Sequence, residues 1–146
     1  MSYKEVVDIL IGLCETHKFV NTFSYGEISD VMTPEDKASP DYPYVFLNPT
    51  QVSSTFRTST FSFNLICMEQ AHDNYDSIIQ AQSDCIEILF DIISKIEMGT
   101  TYPTLSVNSD FVFTPFVERM KDNVVGASVV LSLTFQNAIN GCNLPY

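Results

Sequence analysis

The chain has 146 residues and a net charge of −11, from 18 acidic against 7 basic side chains. This length fits a single domain, and a hydrophobic content of 45% is too high for an intrinsically disordered protein. The acidic balance argues against a protein that wraps nucleic acid or lies on an anionic membrane, because both partners would repel it.

The first predicted element is a helix over residues 2–17. Ser2 is its N-cap, and Glu5 completes a capping box three residues later. Charged side chains such as Asp8 and Glu15 interrupt the segment, so we expect neither a signal peptide nor a membrane span. Its apolar residues share one helical face: Tyr3, Val6, Val7, Leu10, Leu13 and Cys14.

Strands follow the first helix. Residues 19–28 are predicted to form a strand, and the charged, proline-rich segment 32–43 a loop. Residues 44–49 form a short apolar strand that ends at its proline. The Ser- and Thr-rich segment 50–60 also contains β-forming residues, so we predict an extended β-hairpin arm that projects from the sheet. The arm leads into a strand that ends near Glu69.

A long helix is predicted from residue 75 to residue 98. Asp73 or Asn74 caps it, and Gly99 ends it. Its apolar residues are Tyr75, Ile78, Ile79, Cys85, Ile86, Leu89, Ile92, Ile93 and Ile96. We expect the apolar faces of strands 61–67 and 125–135 both to pack on this helix.

Two more strands complete the chain: 104–116, with a break near Asn108 and Ser109, and 124–136. Residues 117–123 connect them, and 137–146 form a C-terminal tail. One apolar and one polar face per strand is typical of an antiparallel sheet with helices on one side. We therefore predict a single α+β domain, with a mostly antiparallel sheet, two helices packed on one face and an extended β-hairpin arm.

No motif of a known catalytic class is present: the chain has no G-x-S-x-G, P-loop or G-x-G-x-x-G sequence. Only His17 and His72 could serve as a general base near neutral pH, and neither has a predictable nucleophile partner. We therefore predict that the protein is not an enzyme and has no cofactor.

A metal site has only weak candidates. Cys14, His17, Cys67 and His72 make a Cys₂His₂ set of the kind that zinc accepts. Their spacing is wrong for a zinc finger, and both cysteines also fit core positions, where cysteine acts as a small hydrophobic residue. The four cysteines form no C-x-x-C motif, which is typical of a reduced protein made inside a cell.

Acidic and aromatic residues are the remaining candidates for functional sites. A solvated surface is the simplest interpretation of the acids, since nothing places two carboxyl groups across a cleft. Most phenylalanines of the predicted strands, including Phe19, are assigned to the core. Phe56 of the arm and Phe116 beside Pro115 are harder to bury, so they are candidate anchors for another subunit.

The order of elements resembles that of the tail terminator and neck ring proteins of tailed bacteriophages. Two segments carry the resemblance. One is YVFLNPTQVSSTFRTSTFSFNLICME, residues 44–69. The other, TPFVERMKDNVVGASVVLSLTFQNAINGC, residues 114–142, is similar to the C-terminal segment of such proteins in phages of gut Bacteroidetes. The matching features there are Asp122, Gly126, the strand to Gln136, Asn137 and Cys142.

The resemblance implies a structural virion protein, made in the cytoplasm of a host bacterium. Its copies would form a homo-oligomeric ring at the neck or tail end, in contact with other neck, portal or tail proteins. DNA would pass through without specific binding. We assign these residues to the subunit interface: Val52, Thr55, Phe56, Arg57, Phe116, Leu144 and Tyr146. We assign these acids to the DNA-facing lumen: Glu27, Asp30, Glu35, Asp36 and Asp41.

Two other classes of function stay open. One is a cytosolic adaptor that uses the arm to add a strand to a partner's sheet. The other is a small-ligand-binding protein, or an enzyme, with a pocket between the sheet and the long helix.

Overall fold

A computed structural model describes residues 2–27, 41–98, 105–107, 110–119, 123–137 and 145. Two helices and six strands lie within these residues. In chain order they are α1 (Tyr3–Thr16), β1 (Thr22–Tyr25), β2 (Tyr44–Ser54), β3 (Thr58–Gln70), α2 (Tyr75–Met98), β4 (Leu105–Val107), β5 (Phe113–Arg119) and β6 (Asn123–Gln136).

The strands form one open sheet in the order β1-β2-β3-β6-β4, and β5 also pairs with β6. β1 runs parallel to β2, while all other pairs are antiparallel. β6 pairs with β3 along one side, and with β4 and β5 along the other. The predicted class, a single α+β domain with a mostly antiparallel sheet, is confirmed.

The core lies between the sheet and the two helices. Alternate residues of β3 and β6 point into it, as the period-2 pattern predicts. Leu89, Ile92 and Ile96 of α2 are fully or almost fully buried against them, which confirms the expected packing of α2 on both strands. The buried strand residues are Phe61, Phe63, Leu65, Cys67, Val125, Ala127, Val129, Leu131, Leu133 and Phe135.

Both helices begin at the predicted caps. Ser2 Oγ accepts the backbone N–H of Glu5, and the Glu5 carboxylate accepts the backbone N–H of Ser2, so the capping box is complete. At α2, Asn74 Oδ1 accepts the backbone N–H of Ser77 at 2.8 Å. The predicted terminator Gly99 lies outside the described residues.

Several element boundaries differ from the prediction. β1 covers only 22–25 of the predicted 19–28, and β2 continues past Pro49 to Ser54. Among the described residues β1 pairs with β2 only as far as Leu47, so that Pro49 has no strand partner on that side; it also lies beside a register shift. A proline is tolerated at such a position because fewer backbone hydrogen bonds are required there.

The later boundaries also differ. β5 extends to Arg119 because residues 117–119, predicted to be a connection, pair with β6. β4 and β5 are separate strands, and the predicted break at Asn108 and Ser109 lies outside the described residues.

The predicted arm forms a β-hairpin that does not project from the sheet but stays paired within it. The backbone N–H of Thr55 donates to the carbonyl of Thr58 at 2.8 Å, which closes the turn. The β3 half of the hairpin pairs with β6, from Thr58 opposite Gln136 onward. Residues 50–54 of β2 pair with β3 on one side and have no strand on the other within the described ranges.

Neither described helix combines the length and apolar content needed to cross a membrane.

Candidate interaction surfaces

The hairpin turn at residues 55–58, called the tip below, is ordered by the Thr55 side chain. Its hydroxyl oxygen accepts the backbone N–H groups of Arg57 at 3.3 Å and Thr58 at 3.1 Å. A threonine hydroxyl that accepts from the backbone two or three residues ahead is a common way to fix a tight turn.

Asn137 ties the tip to the end of β6. Its backbone N–H donates to the carbonyl of Arg57 at 2.7 Å, and its Nδ2 donates to the carbonyl of Thr55 at 3.0 Å. Its Oδ1 accepts the hydroxyl of Ser59 at 2.9 Å. These three bonds hold the turn in one position relative to the sheet.

The tip presents an aromatic and a basic side chain. Phe56 is 87% exposed, and Val52, on the adjoining part of β2, is 53% exposed. Arg57 is the only charged residue between positions 42 and 68. The predicted interface residues Val52, Thr55, Phe56 and Arg57 are therefore all exposed, at the tip or on the strand that leads into it.

Phe116, a further predicted interface residue, lies on β5 and not at the tip. Phe116 of β5 is half-buried, and its carbonyl accepts a hydrogen bond from Nε2 of Gln82 on α2 at 3.1 Å. Leu144 and Tyr146 lie outside the described residues.

A second surface is a cleft of about 510 Å³ at the opposite end of β3. Carboxylates crowd this acidic cleft, with one lysine beside them. Its lining residues are Lys18, Phe19, Asn21, Pro43, Glu69, Asp84, Glu87, Ile88 and Asp91. Burial raises the pKa of the Glu69 carboxyl, and the nearby Asp84 carboxylate raises it further, while the backbone N–H of Gln70 opposes them.

Phe19 forms an apolar wall of the cleft. It is 68% exposed, so its assignment to the core is wrong: it follows α1 but precedes β1, in a segment that does not pair with the sheet. His17 fixes the position of Phe19, because its Nδ1 accepts the backbone N–H of Phe19 at 3.1 Å. The other ring nitrogen, Nε2, then donates to Asp91 Oδ2 at 3.1 Å.

This cleft was not predicted from the sequence. A partial signal is present, since Asp84, Glu87 and Asp91 recur at a spacing that places them on one helical face. Glu69, Pro43 and Phe19 come from separate segments, which no local pattern connects.

The buried thiols of Cys14 and Cys67 are not activated nucleophiles. Cys14, Cys67 and Cys85 are all within the core. Burial raises the pKa of the Cys14 thiol to about 12. A hydrogen bond with Cys85 raises the pKa of the Cys67 thiol, and burial raises it further. Thiols with raised pKa values stay protonated and unreactive near neutral pH.

The weak metal candidates are not assembled into a site. Cys14 and Cys67 are buried, His17 contacts Asp91, and His72 is exposed ahead of α2. Among the residues that the structure describes, no group of three or more histidine, cysteine, aspartate or glutamate side chains is arranged to hold a metal ion.

The acids assigned to a lumen are described only in part. Glu27 and Asp41 are both exposed. Glu27 follows β1, whereas the carbonyl of Asp41 accepts the hydroxyl of Thr22 at the beginning of β1, so the two residues lie at opposite ends of this strand. Asp30, Glu35 and Asp36 lie outside the described residues.

The chain matches no protein-family model, and no curated protein matches its sequence.

Proposed function

We propose that the protein is a structural subunit of a bacteriophage virion, where copies form a ring at the neck or tail end and DNA passes through the centre. The observation that carries this proposal is the β2–β3 hairpin, which combines an open backbone edge with exposed side chains at an ordered tip. Other neck, portal or tail proteins would stack on the ring.

The open edge is chemically suited to delayed pairing. The side chains of Thr50, Gln51, Ser53 and Ser54 are polar, and Val52 is the single apolar residue among them. Natural sheets protect such edges with polar residues until the correct partner arrives. A strand from a neighbouring copy would supply backbone hydrogen bonds along this edge, as in other cases of strand addition.

The charge of the chain supports the same function. A basic lumen would neutralise DNA phosphates and hold the duplex, with a strong dependence on salt. A ring of copies that each carry a net charge of −11 would instead repel the duplex and let it pass.

The mass of the protein in solution tests the proposal. We expect size-exclusion chromatography with light scattering to give a fixed multiple of 16.4 kDa, and electron microscopy to show closed rings. Ser53→Lys places a charge on the open edge and should weaken assembly. Gly12→Lys, at an exposed position of α1 with nothing within 4 Å, is the matched control and should assemble normally.

A chain that stays monomeric at every concentration would contradict the ring. If such a monomer instead bound a strand of a different protein along β2, the adaptor function would replace the proposed ring function.

A further inference from the structure

Assuming the self-assembly proposed above, we infer that the Phe56–Arg57 tip of one copy docks into the acidic cleft of a second copy. The contact joins two different surfaces, so each copy offers one tip and one cleft. Such head-to-tail contacts generate closed rings when the rotation between copies closes.

The two surfaces lie too far apart to meet within one copy. β3 begins at the tip with Thr58 and runs to Gln70, one residue beyond the cleft residue Glu69. An extended strand advances about 3.3 Å per residue, so its two ends are separated by roughly 40 Å. The tip of a copy can therefore reach only the cleft of another copy.

The charges of the two surfaces are complementary. Arg57 has no acidic neighbour in the sequence from 42 to 68, and residues 123–146 contain no charged side chain at all. The cleft carries Glu69, Asp84, Glu87 and Asp91 against Lys18. Glu69, Asp84 and Glu87 form no ion pair within the described part of the chain, so a guanidinium group would relieve their mutual repulsion.

The shape and polarity of the cleft also fit the tip. Its volume of about 510 Å³ lies in the range of pockets that bind small molecules. Phe19, Ile88 and Pro43 give it apolar walls against which the Phe56 ring can pack. An arginine among carboxylates forms charge-assisted, often bidentate, hydrogen bonds, and it can also stack on an aromatic ring such as Phe19.

The tip is ordered before it binds. Asn137 and the Thr55 hydroxyl fix the turn through hydrogen bonds to its backbone. Little conformational freedom is then lost on docking, which favours affinity. Asn137→Ala should therefore weaken assembly even though this residue lies outside the proposed contact.

Charge reversal tests the contact directly. We expect Arg57→Glu to weaken self-association at least roughly tenfold, as measured by sedimentation velocity, because it places a carboxylate among carboxylates. Lys4→Glu makes the same charge change at an exposed position of α1 and is the control. Since Arg57 is exposed, circular dichroism should show an unchanged fold for Arg57→Glu.

A double reversal should restore the contact. Glu87→Lys alone should weaken assembly, and its combination with Arg57→Glu in one chain should recover much of it. Glu97→Lys, at an exposed position near the end of the same helix, should neither weaken assembly nor rescue Arg57→Glu. If the double reversal assembles no better than either single variant, the two side chains do not meet.

Mixing the single variants tests the head-to-tail geometry. A copy with Arg57→Glu keeps its cleft, and a copy with Glu87→Lys keeps its tip. In the mixture, the native tip of one variant meets the native cleft of the other, and the reversed tip meets the reversed cleft. The two variants should therefore assemble together in alternation, better than either variant does alone. A mixture that stays monomeric would overturn the inference.

The two proposals fail in different ways. Rings that form equally well with Arg57→Glu would overturn the tip–cleft contact and leave the ring intact. Open chains that are sensitive to Arg57→Glu would establish the contact and overturn the ring. A wild-type chain that stays monomeric would overturn both.

Discussion

Gly126 lies where β6 passes close to the backbone of β3. A Cβ atom at this position would overlap the carbonyl oxygen of Cys67 and approach the Met68 Cα to 3.1 Å. The neighbouring atoms are backbone atoms held in the sheet, so they cannot move aside cheaply. The absence of a side chain at residue 126 therefore permits the regular pairing of the two longest strands.

We expect Gly126→Ala to destabilise the fold by about 1–3 kcal/mol, the usual effect of excess volume in a packed interior. Urea unfolding measures this loss. Gly12→Ala is the control, and we expect it to stabilise the fold. A Cβ at residue 12 meets nothing within 4 Å, and alanine favours a helix over glycine by about 0.8–1 kcal/mol. Equal effects of the two substitutions would contradict the close approach at Gly126.

Glu69 makes stability depend on pH. Burial and Asp84 raise the pKa of its carboxyl, so the folded state binds the proton more tightly than the unfolded state does. The ionised carboxylate therefore opposes folding above its unfolded pKa of about 4.3, and this penalty disappears as the pH falls.

We expect Glu69→Gln to be more stable than the wild type at pH 7, with a difference that shrinks as the pH falls toward 4. Urea unfolding at several pH values measures the difference, and Glu97→Gln on the exposed end of α2 is the control. A Glu69→Gln variant that is less stable at pH 7 would show that the carboxylate makes a favourable contact.

At the scale of the elements, α2 is the helix that covers the centre of the sheet. Leu89 is fully buried in the core, whereas Ile79 in the first turns of the same helix is 61% exposed. Truncation of the Leu89 side chain should therefore lower the stability of the domain, whereas truncation of Ile79 should leave it almost unchanged.

We expect Leu89→Ala to cost about 2–5 kcal/mol, because it leaves a cavity between α2 and the sheet. Ile79→Ala should change stability by much less, since that side chain is largely in solvent already. Thermal or urea unfolding compares the two variants directly. A small effect at Leu89 would mean that the core can collapse around the missing side chain.

The alternation of β3 and β6 and the cap at Ser2 were predictable from the sequence, because both depend on neighbouring residues. The exposure of Tyr75 and Ile79 was not, since both belong to the apolar set predicted for α2. Periodicity shows which positions share a face, but it does not show how far the opposing layer extends. The first buried residue of α2 is Ala81.

Of the two candidate surfaces, one was predictable from the sequence and the other was not. The tip was predictable because its residues are consecutive in the chain. The acidic cleft was not, because it requires the pairing of β1 with β2, which brings Phe19 and Asn21 near Pro43, and the packing of α2 beside Glu69. These contacts join distant segments, and their positions depend on the complete fold.

At the scale of the whole molecule, charge is distributed unevenly. The strands at the centre of the sheet carry almost no charge, and acids line the cleft and the exposed sides of the helices. In the proposed ring, the effect of an acid on DNA depends on whether it faces the channel.

We expect reversal of Glu35, Asp36 and Asp41 to lysine to preserve assembly and to make the rings retain duplex DNA at low salt. Gel-shift assays over a range of salt concentrations measure the retention, which should weaken steeply as salt rises. The control reverses Glu15, Asp76 and Glu97 on the helices, with the same change in net charge. If both triple variants retain DNA equally, the net charge of the ring and not the position of the acids determines DNA retention.

The central place of β6 has a consequence for how the chain folds. Its partners on β3 are distant in sequence: Ser59 and Asn137, which share a hydrogen bond, are 78 residues apart. Domains dominated by such non-local pairings fold slowly, in milliseconds to seconds, because long loops must close first. Asn137 orders the tip only after β6 has docked. In the proposed ring, a partly folded copy would lack the hydrogen bonds from Asn137 that hold the tip against the sheet. Incorporation into the ring would then select for chains that have completed folding.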